Sequence, residues 1–132
     1  MKKTFKIAFL ELEQWEKEYF IRNLKNCEMQ FIDGHLNENN VSQIKDADAI
    51  GIFIYSVVDK KILGKLPNLK LIVTLSTGFD HIDLKECGKR RITVCNVPHY
   101  GENTVAEHTF ALILNLTRMI HKAYERTTRG DF

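Results

Sequence analysis

The stretch LKLIVTLSTGFDHIDL, residues 69–84, runs from an apolar segment into small polar residues around one glycine. Leu71 to Leu75 reads as a strand with little polar alternation. Strands of that kind belong to parallel sheets covered on both faces. Ser76-Thr77-Gly78-Phe79-Asp80 then follows at the strand's carboxyl end, where open parallel sheets place their ligands. Gly78 lets a ligand approach the backbone with no side chain in the way. The N–H groups of Thr77 and Gly78 are placed to face an anion. From spacing alone, a plain strand-to-helix turn with Asp80 and Asp83 bonding local amides is the reading that the usual turn residues favour.

The rest of the chain repeats the strand-then-helix pattern. Strands are expected at Lys6–Leu10, Met29–Ile32, Ala49–Tyr55, Leu71–Leu75 and Ile92–Cys95. Between them, Glu13–Asn26 carries Trp15, Tyr19, Phe20 and Leu24 near helical spacing. Asn40–Lys45 reads as a brief helix. Asp59 caps a helix through Leu66, which Pro67 and Asn68 end. Asp83 caps another to Lys89. Right-handed crossovers then lead to an α/β fold, a flavodoxin-like doubly wound five-stranded parallel sheet with a long C-terminal helix.

That last helix is expected over Thr104–Thr128, about 37 Å at 1.5 Å per residue. Thr104-x-x-Glu107 fits a capping box. Phe110–Leu116 is apolar nearly all round, with Asn115 the exception. A helix on the outside of one domain needs only an apolar stripe, so this one calls for cover from several sides. The loop before it, Asn96-Val97-Pro98-His99-Tyr100-Gly101-Glu102-Asn103, leads to the helix's amino end, which attracts anions by default. Tyr100 brings a hydroxyl and a ring to that end. A surface loop with Tyr100 packed on its neighbours is the competing reading.

Composition sets outer limits. The chain has 132 residues, 44% hydrophobic and 27% charged, with a formal charge of +2. That suits one compact domain and offers nucleic acid or a membrane surface little attraction. The apolar run Ile7–Leu10 stops at Glu11, too short for a secretory signal. No segment approaches the ~20 apolar residues of a membrane span. Cys27, Cys87 and Cys95 are odd in number and far apart, which suits unpaired thiols and a cytoplasmic setting. His35, His81, His99, His108 and His121 show no metal-site spacing.

Together STGFDHID, ITVCNVP and YGENTVAEHTFALILNLTR resemble the amino-terminal part of the D-isomer-specific 2-hydroxyacid dehydrogenases. The motif likeness runs from about Leu69 to Phe132, and the first 68 residues agree in element order only. The resemblance implies hydride transfer between NAD and a small 2-hydroxy or 2-keto acid, bound in a cleft between two domains. It implies that the amides of Thr77 and Gly78 hold the substrate carboxylate and that Tyr100 faces the substrate. It also implies that Thr77 and Val105 lie against the cofactor, and that the long helix leads to the nucleotide domain and forms a homodimer interface. The corresponding division is 1–101 for the substrate-binding portion and 102–132 for the crossover and dimerisation helix. His81 stands where the family usually has Asn, and is read as a local rather than catalytic residue, since it has no evident orienting partner.

Other family parts have no counterpart here. No G-x-G-x-x-G occurs. The family's catalytic Arg, Glu and His fall past Phe132, so no catalytic residue is assigned. Arg118 and His121 match the family's structural helix. The expectation is an amino-terminal portion that is inactive alone. A non-catalytic module dimerising through the long helix is the alternative. A receiver-like nucleotide binder draws slight support from Glu11 and Glu13.

Overall fold

A computed structural model of the chain describes residues 4–131. The chain divides into two compact units, Met1–Pro98 and His99–Phe132. The first carries strands β1 (Phe5–Leu10), β2 (Cys27–Ile32), β3 (Ala49–Ile52), β4 (Leu71–Thr74) and β5 (Thr93–Cys95). Its helices are α1 (Gln14–Asn23), α2 (Lys60–Gly64) and α3 (Leu84–Arg90), with a 3₁₀ turn at Val41–Ile44. All strand pairs are parallel, in the order β2-β1-β3-β4-β5. This is the flavodoxin-like order expected.

The two faces of the sheet are covered differently. Ala8, Leu10, Ile50, Ile52 and Ile72 face one side and are buried with Val41, Ile44, Val58, Ile62, Leu63, Leu66, Ile82, Cys87 and Ile92. On the other side Ile7, Phe9, Ala49, Gly51, Leu71, Val73 and Leu75 border an apolar hollow of about 240 Å³ that Phe20 of α1 and its C-cap Leu24 also line. Among the described strands only β3 is buried at every position, and β5 is largely exposed. The expectation of strands covered on both faces therefore holds for β3 alone, and β3 stops at Ile52 rather than reaching Tyr55. The chain leaves the ladder there because the Phe53 and Tyr55 amides bond a side chain instead of a strand.

The helix caps follow the side-chain chemistry. Asp59 accepts from Ile62 N at 2.9 Å and Asp83 from Glu86 N at 2.9 Å, as expected of Asp at these positions. Glu86, in the first turn of α3, is largely buried. It accepts from Arg90 Nε at 2.8 Å, while Arg90 Nη1 donates to the Leu63 carbonyl at 2.8 Å. The hydrogen bond from Arg90, helped by Lys89, holds the Glu86 carboxyl below the usual range against the opposing effect of burial. Burial, then the charges of Asp83 and Glu86, push the neighbouring Cys87 thiol up. Cys27, Cys87 and Cys95 are all free thiols.

The second unit holds α4 (Glu102–Thr117) and α5 (Ile120–Thr128). The single helix expected over 104–128 is therefore two. Met119 adopts a left-handed conformation, φ 50° and ψ 40°, and breaks the run. Thr117 Oγ1 bonds back to the Ile113 carbonyl at 2.9 Å, a habit that bends helices. Asn115 Oδ1 then accepts from His121 N at 3.2 Å, satisfying an orphan amide at the start of α5. The Thr104–Glu107 capping box is not formed either, because α4 begins at Glu102 with Gly101 as its N-cap. No helix among the described residues is long and apolar enough to cross a membrane.

Candidate functional site

The carboxyl ends of β4 and β5 are tied into one ledge. The Thr77 hydroxyl donates to the Val97 carbonyl at 2.9 Å, Asn96 Nδ2 to the Thr77 carbonyl at 2.8 Å, and Val97 N to the Ser76 carbonyl at 3.0 Å. Thr77 and Gly78 are exposed on this ledge. Among the described residues, no acceptor bonds the amide of either. Two neighbouring N–H groups without an internal partner suit an incoming anion. A Cβ built on Gly78 would meet nothing within 4 Å, and its φ is not left-handed. Neither packing nor backbone strain calls for glycine here, which leaves close approach of a ligand as the physical reason.

Beneath the ledge runs a row of polar side chains. Buried Ser76 donates from Oγ to the Gly78 carbonyl at 2.8 Å. Its Oγ lies 2.6 Å from Oγ1 of Thr74, also buried, and that atom lies 3.2 Å from Nε2 of His81. The backbone of His81 is held separately, its carbonyl accepting from Val58 N at 2.8 Å.

A second feature lies at the ends of β1 and β3. Glu11 has a left-handed φ of 61°. Its carboxylate accepts from Phe53 N at 3.1 Å, from Tyr55 N at 2.8 Å and from the Ser56 hydroxyl. Ser56 Oγ in turn accepts from Leu36 N at 2.9 Å. One carboxylate thus gathers the loop after β3 and, through Ser56, the segment after β2. A cleft of about 500 Å³ opens beside it, lined by Glu11, Leu12, His35, Phe53, Tyr55 and Leu75 among others. Glu13 and Glu16 border it too, with Glu16 Oε2 accepting from Glu13 N at 2.8 Å at the start of α1. This is the first β–α turn, where a doubly wound sheet can cradle a dinucleotide pyrophosphate. Three carboxylates and no glycine loop do not fit that group. Nor does Glu11 belong to a phosphoacceptor cluster, since backbone amides and a serine occupy it.

Tyr100 and Val105 belong to the second unit. Tyr100 lies just before α4 and Val105 in its first turn, where Val105 N donates to the Gly101 carbonyl at 3.0 Å. Both are well exposed. Beside them His99 Nδ1 and Glu102 Oε1 pair at 2.6 Å. His121 lies in the first turn of α5, and Arg118 caps the end of α4. Among the described residues no group of three or more His, Cys, Asp or Glu side chains is arranged to hold a metal ion.

Sequence reasoning singles out Thr77 and Gly78, gives Thr74, Ser76 and Ser56 no role of their own, and reads Glu11 only as slight support for a receiver-like site. Two small polar residues at the end of an otherwise apolar strand are the available signal for the first pair. Nothing local marks Glu11, whose partners lie 42 to 45 residues away.

Comparison with known proteins shows the family and the fold. The model of the D-isomer specific 2-hydroxyacid dehydrogenase catalytic domain matches residues 7–130. A 2-hydroxyacid dehydrogenase homolog of Haemophilus influenzae is 35% identical over 131 residues, covering 96% of this chain and 40% of that protein. The D-lactate dehydrogenase of Escherichia coli is 29% identical over 131 residues, again covering 96% and 40%. A crystal structure of D-lactate dehydrogenase from Aquifex aeolicus, complexed with NAD and lactic acid, superposes with a TM-score of 0.84 at 34% identity, over 96% of this chain and 38% of that one. The chain spans about two-fifths of the length of the curated relatives it matches.

Proposed function

The chain belongs to the D-isomer specific 2-hydroxyacid dehydrogenase family, and we propose that it supplies the substrate-carboxylate half of an NAD-dependent D-2-hydroxyacid dehydrogenase. The observation that carries the reading is the pair of Thr77 and Gly78 amides without an internal acceptor, on a ledge braced by β5. Each charge-assisted hydrogen bond to a carboxylate contributes about 1.5–3 kcal/mol. Two suffice to orient a small acid without holding it tightly, which suits a substrate that must leave as product.

NAD, when bound, would accept or deliver the hydride, and Thr77 and Val105 are the residues of this chain proposed to lie against it. The pyrophosphate would be held elsewhere than at the β1–α1 turn, whose carboxylates repel it. Tyr100 is proposed to face the substrate. No residue here is assigned the proton transfer, so the 132-residue chain alone is proposed to be inactive. A small 2-hydroxy or 2-keto acid as substrate, a homodimer through the α4–α5 segment, division at 1–101 and 102–132, and a cytoplasmic setting complete the proposal.

A nitrogen-15 chemical-shift titration with pyruvate tests it. Saturable shifts centred on residues 76–79, absent with the uncharged methyl ester, support the reading. Shifts scattered over basic surface residues overturn it. NADH oxidation with pyruvate, hydroxypyruvate or glyoxylate is expected to stay at background for this chain, and clear turnover refutes the proposed inactivity.

A further inference from the structure

The row of side chains beneath the ledge has a single consistent arrangement of protons. The Gly78 carbonyl can only accept, so Ser76 spends its one hydroxyl proton there. Ser76 Oγ must then accept from Thr74 Oγ1, 2.6 Å away. That leaves Thr74 with no proton for His81, so His81 Nε2 donates to Thr74 Oγ1 across 3.2 Å. The direction runs from His81 to Thr74 to Ser76 to the Gly78 carbonyl, and it requires a proton on Nε2.

Gly78 has no side chain to limit its φ and ψ, and the space a Cβ would take is empty. Its carbonyl is gripped from below by this row, while its amide and that of Thr77 stay unbonded. We infer that Thr74 and His81 are positioning residues: through Ser76 they fix the Gly78 carbonyl, and with it ψ of Gly78, while Val97 N on the Ser76 carbonyl and Asn96 Nδ2 on the Thr77 carbonyl hold the planes that carry the Thr77 and Gly78 N–H groups, so that the whole turn presents both amides to a substrate carboxylate. The inference rests on the proposed reading of those amides as the carboxylate site. His81 thereby acquires a defined role, because its backbone is pinned by Val58 and its ring starts the row. Thr74 is completely buried and lies at the centre of the row, so it is the point where the row is most cleanly broken.

The test uses the whole 132-residue chain labelled with nitrogen-15 and titrated with oxamate, a small stable 2-keto-acid mimic. In the unaltered chain, long-range imidazole spectra are expected to show a proton on His81 Nε2. The Thr77 and Gly78 amides are expected to shift on binding. Thr74→Val, nearly the same shape without the hydroxyl, is expected to weaken oxamate binding about tenfold, the loss of roughly one charge-assisted hydrogen bond. It should also release His81 Nε2 from its fixed donor role, and Thr74→Ser should restore both readings. If Thr74→Val fails to fold, Ser76→Ala cuts the same row one step nearer Gly78 and is expected to weaken binding without a change at other amides. Oxamate binding at Thr77 and Gly78 that Thr74→Val or Ser76→Ala leaves unchanged overturns the inference alone. A His81 ring with no proton on Nε2 in the unaltered chain does the same. No shift at Thr77 or Gly78 with oxamate overturns the carboxylate reading itself, and the inference with it.

Discussion

The Thr77 hydroxyl reaches across to the Val97 carbonyl, 2.9 Å away and 20 residues later in the chain. This bond, with Asn96 Nδ2 on the Thr77 carbonyl, makes the exits of two adjacent parallel strands one braced structure. A binding turn built only from its own residues would have to be ordered by the ligand. This one is ordered beforehand, so less of the carboxylate's binding free energy is lost to conformational entropy.

Gly78→Ala separates folding from binding. A Cβ at Gly78 meets nothing within 4 Å and the backbone φ is not left-handed. The substitution should leave stability unchanged or raise it by about 0.4–1 kcal/mol, as for a glycine in an unstrained conformation. It should weaken carboxylate binding at least tenfold, because the methyl group stands where the ligand approaches. Urea unfolding and an oxamate titration of the same sample read both effects.

Glu11 should prove to be the main fastening of the β3 exit loop. Its carboxylate accepts from Phe53 N, Tyr55 N and the Ser56 hydroxyl. Glu11→Ala leaves these donors unsatisfied and keeps the left-handed φ of 61°. A loss of about 2–3 kcal/mol in urea unfolding is expected. Glu11→Gly should cost about 1 kcal/mol less, since glycine adopts that φ freely. Equal losses for the two would mean that backbone strain at Glu11 is unimportant.

Gly51→Ala is expected to be destabilising for a steric reason. A Cβ there would fall 2.5 Å from Cδ1 of Phe9. That ring cannot swing away easily, because it is stacked on Phe20 at 4.5 Å and Phe31 at 5.6 Å. Overpacking of this kind costs about 1–3 kcal/mol. Phe9→Leu should recover part of the loss, so that the double variant is more stable than the sum of the two single effects, as read in a double-mutant cycle.

Glu86 should contribute to acid sensitivity. Its folded carboxyl is held below the usual range, chiefly by the Arg90 hydrogen bond. A carboxyl depressed on folding stabilises the chain above its unfolded value, and that stability is lost as pH falls through the folded value. Glu86→Gln should therefore be less stable than the unaltered chain at neutral pH. The gap should narrow as pH drops below the ordinary glutamate value of about 4.3. Urea midpoints measured across that range check the sign.

Much of this architecture is legible in the sequence, for reasons that individual residues make plain. Leu71–Leu75 and Ala49–Tyr55 announce parallel strands because neither alternates in sequence, although burial on both faces is realised in β3 alone. Asp59 and Asp83 announce caps because a short carboxylate satisfies amides only within reach of its own turn. Thr77 and Gly78 stand out as a turn at a strand's carboxyl end. The hydroxyl row is hidden, because Thr74 reads simply as the last polar residue of a strand until His81 is placed beside it. Glu11 is hidden more deeply, since its role is written in Phe53, Tyr55 and Ser56. The break at Met119 has no glycine or proline to mark it, and depends on Thr117 bonding backward and Asn115 bonding forward to His121 N.

Whether Thr77 and Gly78 hold a carboxylate is decided by a crystal structure of the chain grown with oxamate. Carboxylate oxygens are expected within about 2.7–3.2 Å of both the Thr77 and Gly78 nitrogens, with the Ser76 hydroxyl still on the Gly78 carbonyl. Oxamate ordered at another site, with those two amides bonded to the chain itself, would show that the ledge is only a turn.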